Sequence, residues 1–286
     1  MSLFDIGVSV VVLTKNNEDT IGTCLKSILL QDYAKKEVIV IDGNSTDDTR
    51  DIVASWGVKI YEGGNIGESR QLGVEKSKYD LVAFVDSDCE LPCKNWLSSM
   101  VAPFEDKKNT NLAATFAMGA YRKEYPAIAR YDILNFWSTK PFIPLIVTDK
   151  VYFPVGCAHV VFKKSVINAI GGFKPLRAGE DIDLTKRICE AGYDLWYQKL
   201  PVYHLHAKTL KQYISKYKRD ISSTLVTEGE KPNYLKFVVN KALLPVPVTL
   251  LGLLNDRDLA WLWHPVISYY KCFIALESLI KIRVCR

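Results

Sequence analysis

Two carboxylates two residues apart, Asp86 and Asp88, follow directly after an unbroken apolar run, LVAFV, at residues 81–85. The run is rich in β-branched and aromatic residues and predicts a strand that is buried on both faces. Carboxylates at the end of a buried strand are costly unless a partner neutralises them. Mg²⁺ or Mn²⁺ could do so, because these ions take one or two protein carboxylates together with the oxygens of a substrate diphosphate. A bare D-x-D pattern is more often a solvated acidic turn, so its surroundings decide between the two interpretations.

A second acidic pair, Glu180 and Asp181, lies where a helical pattern begins. Leu184, Ile188 and Ala191 recur at helical spacing, which places both acids in the first turn of that helix. Acids at a helix start are often only partners of the helix dipole. The pair alone therefore does not indicate a catalytic site.

A histidine pair and a basic strip follow. His204 and His206 would point the same way on an extended chain. There they could add a metal ligand or a phosphate donor, although such a pair more often has a structural role.

The basic strip that follows in the sequence suits a phosphate-bearing or membrane-surface partner, or forms only a solvated helix face. No nucleic-acid-binding motif accompanies it. Its members are Lys208, Lys211, Lys216, Lys218 and Arg219.

Alternating strands and helices must position these groups. Helices are predicted at residues 18–30 and 69–78, and strands are predicted from apolar runs at residues 8–13, 37–41, 58–61 and 79–85. This alternation indicates a parallel sheet with right-handed crossovers. The polar residues at the strand exits, Asn16, Asp42 and the D-x-D pair, should then share one rim. Ser45 or Thr46 is expected to cap the helix after the second strand.

The second half of the chain is less regular in sequence. Residues 121–154 are rich in aromatics and prolines, which predicts an irregular lid or acceptor-facing loop, or else a packed connection. Around this segment, helices are predicted at residues 95–104 and 163–170, a helix from about residue 209, and strands at residues 112–120, 156–162, 195–198 and 201–206.

Length and composition fit one large domain or a domain with an appendage. The chain has 286 residues, of which 48% are hydrophobic, and a net charge of +5. Its seven cysteines are scattered without C-x-x-C spacing, which is typical of reduced thiols in a cytosolic protein. No cleavable signal peptide is visible.

The apolar tail differs from the rest of the chain. Residues 242–254 and 259–282 are apolar, but prolines and charges interrupt them, so neither is a clean membrane span. Two helices lying in a membrane interface fit better, and a helical hairpin that caps the core or a dimer interface is the alternative. The aromatic residues that suit the interfacial depth are Trp261, Trp263, Tyr269 and Tyr270.

The ordered set of motifs in residues 8–219 resembles the family 2 glycosyltransferases. The motifs are VSVVVLTKNNEDTI, VIVIDGNSTDDT, NIGESRQLGV, VDSDCE and GGFKPLRAGEDIDLTKRICEAGY. The resemblance implies the GT-A fold, an α/β fold with a Rossmann-like, mostly parallel sheet and flanking helices, here with a C-terminal helical appendage. We accordingly expect a catalytic domain at residues 1–230 and an apolar helical segment that lies in a membrane interface at residues 231–286.

The resemblance also implies an inverting, metal-dependent transfer from a UDP- or GDP-sugar. Asp181 would be the catalytic base, positioned by Glu180, and Mg²⁺ or Mn²⁺ would be held by Asp86, Asp88 and His206. Donor-binding residues would be Thr14, Asn16, Glu18, Asp42, Arg70 and Asp86. Residues available to the diphosphate or the acceptor would be His204, Lys216, Lys218 and Arg219.

The acceptor is expected to be a lipid-linked phosphate or diphosphate, because the tail is apolar and the strip is basic. The Q-x-x-R-W motif of processive members is not found in KQYISKYKRD, so transfer of a single sugar is expected. The protein would then act at the cytoplasmic face of a membrane, as a peripheral or monotopic protein.

Other classes of protein remain open. A sugar nucleotidyltransferase would normally carry a glycine-rich loop after its first strand, whereas residues 14–17 are TKNN. A non-catalytic binding or scaffold subunit need not retain Asp86, Asp88 and Asp181. A receiver domain also has acids at its strand ends, but it is shorter and would not explain the E-D region.

Overall fold

The computed structural model describes residues 6–138, 145–148, 150, 155–227 and 245–284. The chain forms two compact units, Met1–Ala120 with Phe142–His204, and Tyr121–Pro141 with Leu205–Arg286. The predicted domain boundary at residue 230 lies outside the described residues and stays a prediction.

The first unit is built on one mixed β-sheet. Its described strands are β1 (Val8–Thr14), β2 (Lys36–Asp42), β3 (Lys59–Glu62), β4 (Leu81–Asp86), β5 (Cys89–Glu90), β6 (Leu112–Ala120), β7 (Ile146–Val147), β8 (His159–Lys163) and β9 (Asp194–His204). The order across the sheet is β3-β2-β1-β4-β8-β6-β9-β5, with β7 beside β9. Strands β3, β2, β1 and β4 are parallel, which confirms the prediction for the N-terminal half. Strand β8 runs antiparallel to both β4 and β6, and β9 returns parallel to β6.

Helices cover this sheet. In the first unit they are α1 (Glu18–Leu29), α2 (Thr49–Ser55), α3 (Ile66–Lys76), α4 (Trp96–Val101), α6 (Lys164–Ala169) and α7 (Glu180–Glu190). Of the apolar face expected for α1, Ile21, Leu25 and Ile28 lie in the main core, whereas Leu29, expected on the same face, is exposed. Trp96 of α4 belongs to the same core and is fully buried. Burial of such side chains, at about 1.5–3 kcal/mol each, supplies most of the stabilisation of the unit.

Two helix starts differ from prediction. Neither Ser45 nor Thr46 caps α2, which begins at Thr49; instead the Asp47 carboxylate accepts hydrogen bonds from the backbone N–H and the hydroxyl of Thr49. Helix α3 begins at Ile66, three residues earlier than predicted. Asn65 and Glu68 form a reciprocal capping box there, which fixes the helix start at this position.

The second unit is helical. It comprises α5 (Ala127–Ser138), α8 (Leu210–Thr227), α9 (Pro245–Asp256), a 3₁₀ helix (Leu259–Leu262) and α10 (Trp263–Val284). For α5 the predicted packed connection is confirmed and the alternative of an irregular lid or loop is wrong, whereas residues 139–144, 149 and 151–154 lie outside the described residues. Ile128, Tyr131 and Leu134 recur at three-residue spacing and are buried in the core of this unit.

The tail partly matches its prediction. In the part of the chain that the structure describes, no helix combines the length and apolar character needed to cross a membrane. Trp261, predicted to lie at a membrane interface, is instead buried in the core of the unit, where its ring packs edge-on against Tyr131.

Candidate active site

The carboxyl end of β4 fixes the D-x-D pair. The backbone N–H of Asp86 donates to the carbonyl of Ala158 at 3.2 Å, and the N–H of Ser87 donates to the carbonyl of Leu13 at 3.1 Å. Ser87 is buried, and its hydroxyl accepts a hydrogen bond from the Asn17 side chain at 2.6 Å. The two acidic side chains therefore flank an anchored residue, which distinguishes this turn from an independent solvated loop.

Arg70 joins the two acidic motifs. This buried guanidinium donates from Nη2 to Asp86 Oδ1 at 3.3 Å and from Nε to Glu180 Oε1 at 2.8 Å. Its Nη1 also donates to the carbonyl of Cys157 at 3.3 Å. Buried charges persist when they are paired and hydrogen-bonded, and the planar fork of arginine suits several acceptors at once. Arg70 was predicted to bind the donor, and its described contacts are with the protein.

The loop before α7 brings Arg70 to Glu180. Gly67 packs at the start of α3 so closely that a Cβ there would lie 2.1 Å from the carbonyl oxygen of Lys174, and its N–H donates to the carbonyl of Leu176. Gln71 accepts a hydrogen bond from the N–H of Phe173 at 3.0 Å. Residues 171–176 are thereby fastened to α3, which sets the position of the acidic pair that follows.

Asp181 lies in the first turn of α7, as predicted. Its Oδ1 accepts from the N–H of Ile182 at 2.8 Å and its Oδ2 accepts from the N–H of Cys157 at 3.4 Å. Burial, followed by the neighbouring charge of Glu180, raises the pKa of Asp181 to about 6, although Arg70 opposes the rise. A carboxyl group with this pKa is ionised at neutral pH and can still accept a proton effectively.

Asp88 is paired with a histidine. Nε2 of His204 lies 3.0 Å from Asp88 Oδ1, because Cys89 of β5 pairs in register with His204 at the end of β9. Ligand atoms of Asp88, Cys89 and His204 all lie within 4.8 Å of one another. Burial raises the pKa of the Cys89 thiol well above its usual value, so the oxygen and nitrogen atoms are the ready ligands. A carboxylate with an imidazole fits a divalent ion such as Mn²⁺.

This arrangement differs in part from the predicted metal site. The carboxylate of Asp86 faces Arg70 and is not one of the three grouped ligands. Strand β9 ends at His204, so the expected extended pair of histidines does not form. His206 lies in the second unit, where its Nδ1 is 2.9 Å from Asp132 Oδ2. His204 is therefore the histidine that the structure brings to Asp88.

The predicted donor residues lie at the ends of β1 and β2. Thr14 pairs in register with Asp42, and both are buried. Asp42 accepts from the N–H of Ser45 at 3.0 Å, and Asn16 Oδ1 accepts from the N–H of Thr46 at 2.8 Å. The hydroxyl of Thr14 is buried without a hydrogen-bond partner among the described residues. That hydroxyl keeps its full capacity for a ligand.

The remaining candidates have other partners. Glu18 Oε2 accepts from the N–H of Asp48 at 3.0 Å, which ties α1 to the start of α2. In the second unit, Lys216 donates to Asp132 Oδ2 at 2.9 Å. Lys218 is exposed, and the side chain of Arg219 lies outside the described residues.

Two functional candidates escaped the sequence analysis. Cys157 contributes through its backbone, which donates to Asp181 and accepts from Arg70. No side-chain pattern reveals such a role. Asp132 is a single carboxylate in an aromatic segment, and only the folded structure shows that it contacts His206 and Lys216.

Comparison with known proteins supports the resemblance. A family model described as Glycosyl transferase family 2 matches residues 9–169. Glycosyltransferase AglE of Haloferax volcanii is 28% identical over 203 residues, covering 66% of this chain and 63% of that protein. A GalNAc(5)-diNAcBac-PP-undecaprenol β-1,3-glucosyltransferase of Campylobacter jejuni is 30% identical over 125 residues, covering 41% of this chain and 39% of that protein. The alignments thus span less than two thirds of the length of these relatives.

Solved structures show the same fold. Mannosyltransferase PcManGT from Pyrobaculum calidifontis, in complex with GDP-Man and Mn²⁺, matches with a TM-score of 0.62 at 17% identity. The match covers 96% of this chain and 90% of that one. At this identity the likeness is evidence for the architecture alone, and it confirms the predicted α/β fold.

Proposed function

Because the chain belongs to glycosyl transferase family 2, we propose that it transfers one sugar, with inversion, from a nucleotide-diphospho-sugar to an acceptor. One observation carries the proposal: the buried Arg70 contacts both Asp86 and Glu180, so the D-x-D motif and the E-D motif belong to one cluster. A binding module would not need a base of raised pKa beside that cluster.

Asp88 and His204 are the residues that would hold Mg²⁺ or Mn²⁺. When bound, such an ion would neutralise the donor diphosphate and the charge that develops on the leaving group. The mutual hydrogen bond of Asp88 and His204 holds both side chains in place before binding. Mannosyltransferase PcManGT was solved with Mn²⁺, which supports the same type of ion for this fold.

Asp181 would accept the proton of the acceptor hydroxyl. Its carboxylate is held by the N–H groups of Ile182 and Cys157, which orients it without fully satisfying its charge. Glu180 contributes to the raised pKa of Asp181, and Arg70 keeps Glu180 in place. If the acceptor is an ionised phosphate, Asp181 has little to deprotonate and orients the acceptor instead.

We infer that the donor nucleotide lies along the ends of β1 and β2. Thr14 and Asp42 are adjacent there, and the unpartnered Thr14 hydroxyl is available to a polar group of the nucleotide. The acceptor is proposed to be a lipid-linked phosphate or diphosphate at the cytoplasmic face of a membrane. The undecaprenol-linked substrate in the name of the Campylobacter relative supports this, as do the apolar tail and the basic residues of α8.

The test uses Asp181→Asn with Glu190→Gln as the matched control, an exposed carboxylate at the other end of α7. With donor, Mn²⁺ and a polyprenyl phosphate or diphosphate series, Asp181→Asn should bind donor normally while turnover falls at least about a hundredfold. The control should keep both properties. Near-normal turnover in Asp181→Asn would remove this residue from the chemistry. No turnover or donor binding in the folded wild-type protein would favour a non-catalytic subunit.

A further inference from the structure

Helix α9 carries large apolar side chains on its outer face as well as on its inner face, where Val248 and Leu253 pack against the core of the unit. Val246, Leu250 and Leu254 recur every four residues along one face, and all three are exposed. The opposite face carries the small residues Thr249 and Gly252, which are buried. A Cβ at Gly252 would lie 2.2 Å from the ring of Trp261, so this face packs with its backbone in close contact. A surface helix in contact with water normally carries polar residues on its outer face.

Helix α10 also has an apolar outer face, although Ile267 on its inner face belongs to the core. Val266, Tyr269 and Phe273 are exposed on one face, whereas His264, Ser268 and Lys271 are buried. The buried polar groups have partners. The His264 ring bonds the Tyr131 hydroxyl at 3.0 Å through Nδ1 and the Ser268 hydroxyl at 3.3 Å through Nε2.

The few acidic residues of α9, the 3₁₀ helix and the first half of α10 are also held within the unit. The only acids of residues 245–273 are Asp256 and Asp258, and both are engaged within the unit. Asp256 accepts from Trp261 Nε1 at 2.7 Å, and Asp258 forms a two-point ion pair with Arg130 at 2.9 and 3.1 Å. Arg257, between them, is exposed and has a φ of 53°, a backbone conformation that a bulky side chain rarely adopts. The strain is tolerated, and the cation stands between two outward-facing leucines, Leu254 and Leu259.

We propose that the outward face of α9, the 3₁₀ helix and α10 lies in the interface of an anionic lipid bilayer, with Arg257 at the level of the lipid phosphates. We call this surface the leucine face; it comprises Val246, Leu250, Leu251, Leu254, Leu259, Leu262, Val266, Tyr269 and Phe273. The inference deepens the membrane part of the proposed function by naming the surface, and it does not depend on sugar transfer.

Three features favour lipid over a protein partner. The leucine face is mainly aliphatic, whereas the centres of protein interfaces are enriched in aromatic residues and arginine and include hydrogen-bonding groups. Of its two neighbouring acids, Asp258 is neutralised by Arg130 and Asp256 accepts the N–H of the buried Trp261, which reduces repulsion from anionic headgroups. No described helix is long and apolar enough to span a bilayer. Helices that combine an apolar face with a nearby cation suit a position in the plane of the membrane interface.

The experiment measures co-sedimentation of the full chain with vesicles that contain no glycosyl acceptor. The vesicles are phosphatidylcholine alone, or phosphatidylcholine with about one third phosphatidylglycerol. Leu254 and Leu259 are 74% and 72% exposed, so replacing both by serine should leave the fold intact. The double variant Leu254→Ser/Leu259→Ser should lower the vesicle partition coefficient at least about tenfold. Leu30→Ser, at a 53% exposed leucine of the first unit, is the matched control and should bind as the wild type does.

A second variant isolates the charge. Arg257→Asn introduces a residue that tolerates the left-handed conformation and removes the positive charge. It should weaken binding to the anionic vesicles about fivefold, with no effect on binding to phosphatidylcholine alone. Equal binding by the wild type and the double leucine variant would overturn the proposal. So would a lipid-free dimer, seen by sedimentation velocity, that the double variant converts to monomer without any change in vesicle binding. Sugar transfer is not measured, so failure of the proposed activity would leave this result unaffected.

Discussion

The stability of Asp181→Asn relative to wild type should increase as the pH rises. The reason is that ionisation of the Asp181 carboxylate destabilises the folded wild-type protein. Its pKa is about 6 in the folded protein, against an ordinary value of 3.8. The folded state therefore binds the proton more tightly than the unfolded state does, and the free energy of unfolding falls as the pH rises from about 4 to above 6. The difference of about 2.2 pH units, at about 1.36 kcal/mol per unit, gives a full penalty of up to about 3 kcal/mol.

About half of that penalty applies at pH 5, where Asp181 is protonated in most of the folded molecules. Asparagine also changes the hydrogen bonds with Ile182 and Cys157, but this cost is independent of pH. The free energy of unfolding of Asp181→Asn, minus that of wild type, should thus increase by about 1.5 kcal/mol from pH 5 to pH 8.

Urea unfolding followed by circular dichroism at pH 5 and pH 8 measures this difference. Glu190→Gln, at an exposed carboxylate of the same helix, should change stability by less than about 0.5 kcal/mol at both pH values. A difference between Asp181→Asn and wild type that is the same at pH 5 and pH 8 would refute the raised pKa. A difference that shrinks towards pH 8 would show a carboxylate stabilised by its partners.

Three further predictions follow from the same contacts. With a hydroxyl acceptor, turnover should fall about tenfold per pH unit below pH 6, because protonated Asp181 cannot act as a base; a profile that is flat down to pH 5 would contradict this. Thr14→Val should leave unfolding in urea unchanged or raise stability by up to about 1 kcal/mol, since it removes a buried hydroxyl without a partner, while weakening donor binding in calorimetry; unaltered donor affinity would exclude Thr14 from the site. Arg70→Lys keeps the charge but cannot reach Asp86, Glu180 and the Cys157 carbonyl together, so stability should fall by at least about 2 kcal/mol in urea; wild-type stability would show that the pairing is dispensable.

The regular part of the first unit was predictable because its signals are local. The apolar runs of β1, β2 and β4 bury both faces, and the spacing of Ile21, Leu25 and Ile28 identifies α1. Polar residues at the exits of parallel strands then had to share an edge, which placed Thr14 beside Asp42.

The failures arise where tertiary contacts outweigh local pattern. The aromatic composition of residues 127–138 does not predict helix α5. Burial of the segment together with Tyr213 and Trp261 stabilises it as a helix. His206 was predicted as the metal ligand, whereas the structure brings His204 to Asp88. This contact depends on the pairing of β5 with β9, which joins residues more than a hundred positions apart and leaves no local signal in the sequence.

The tail illustrates a third limit. Its mean hydropathy indicates an unusual environment, but not which residues face it. Trp261 belongs to the core of the second unit, whereas Leu254 and Leu259 face outward. That assignment depends on Gly252, which allows α9 to approach Trp261 closely.

The most direct test of the central claim is calorimetric titration of the wild-type protein with UDP-sugars and GDP-sugars, each with and without Mn²⁺. Asp88→Ala serves as the site variant, and Asp19→Ala, at an exposed acid of α1, serves as the control. Our account predicts that one nucleotide class binds only with Mn²⁺, that Asp88→Ala abolishes this binding, and that Asp19→Ala retains it. Metal-independent binding, or metal-dependent binding that survives Asp88→Ala, would contradict the assignment of Asp88 and His204 as the metal site of a glycosyltransferase.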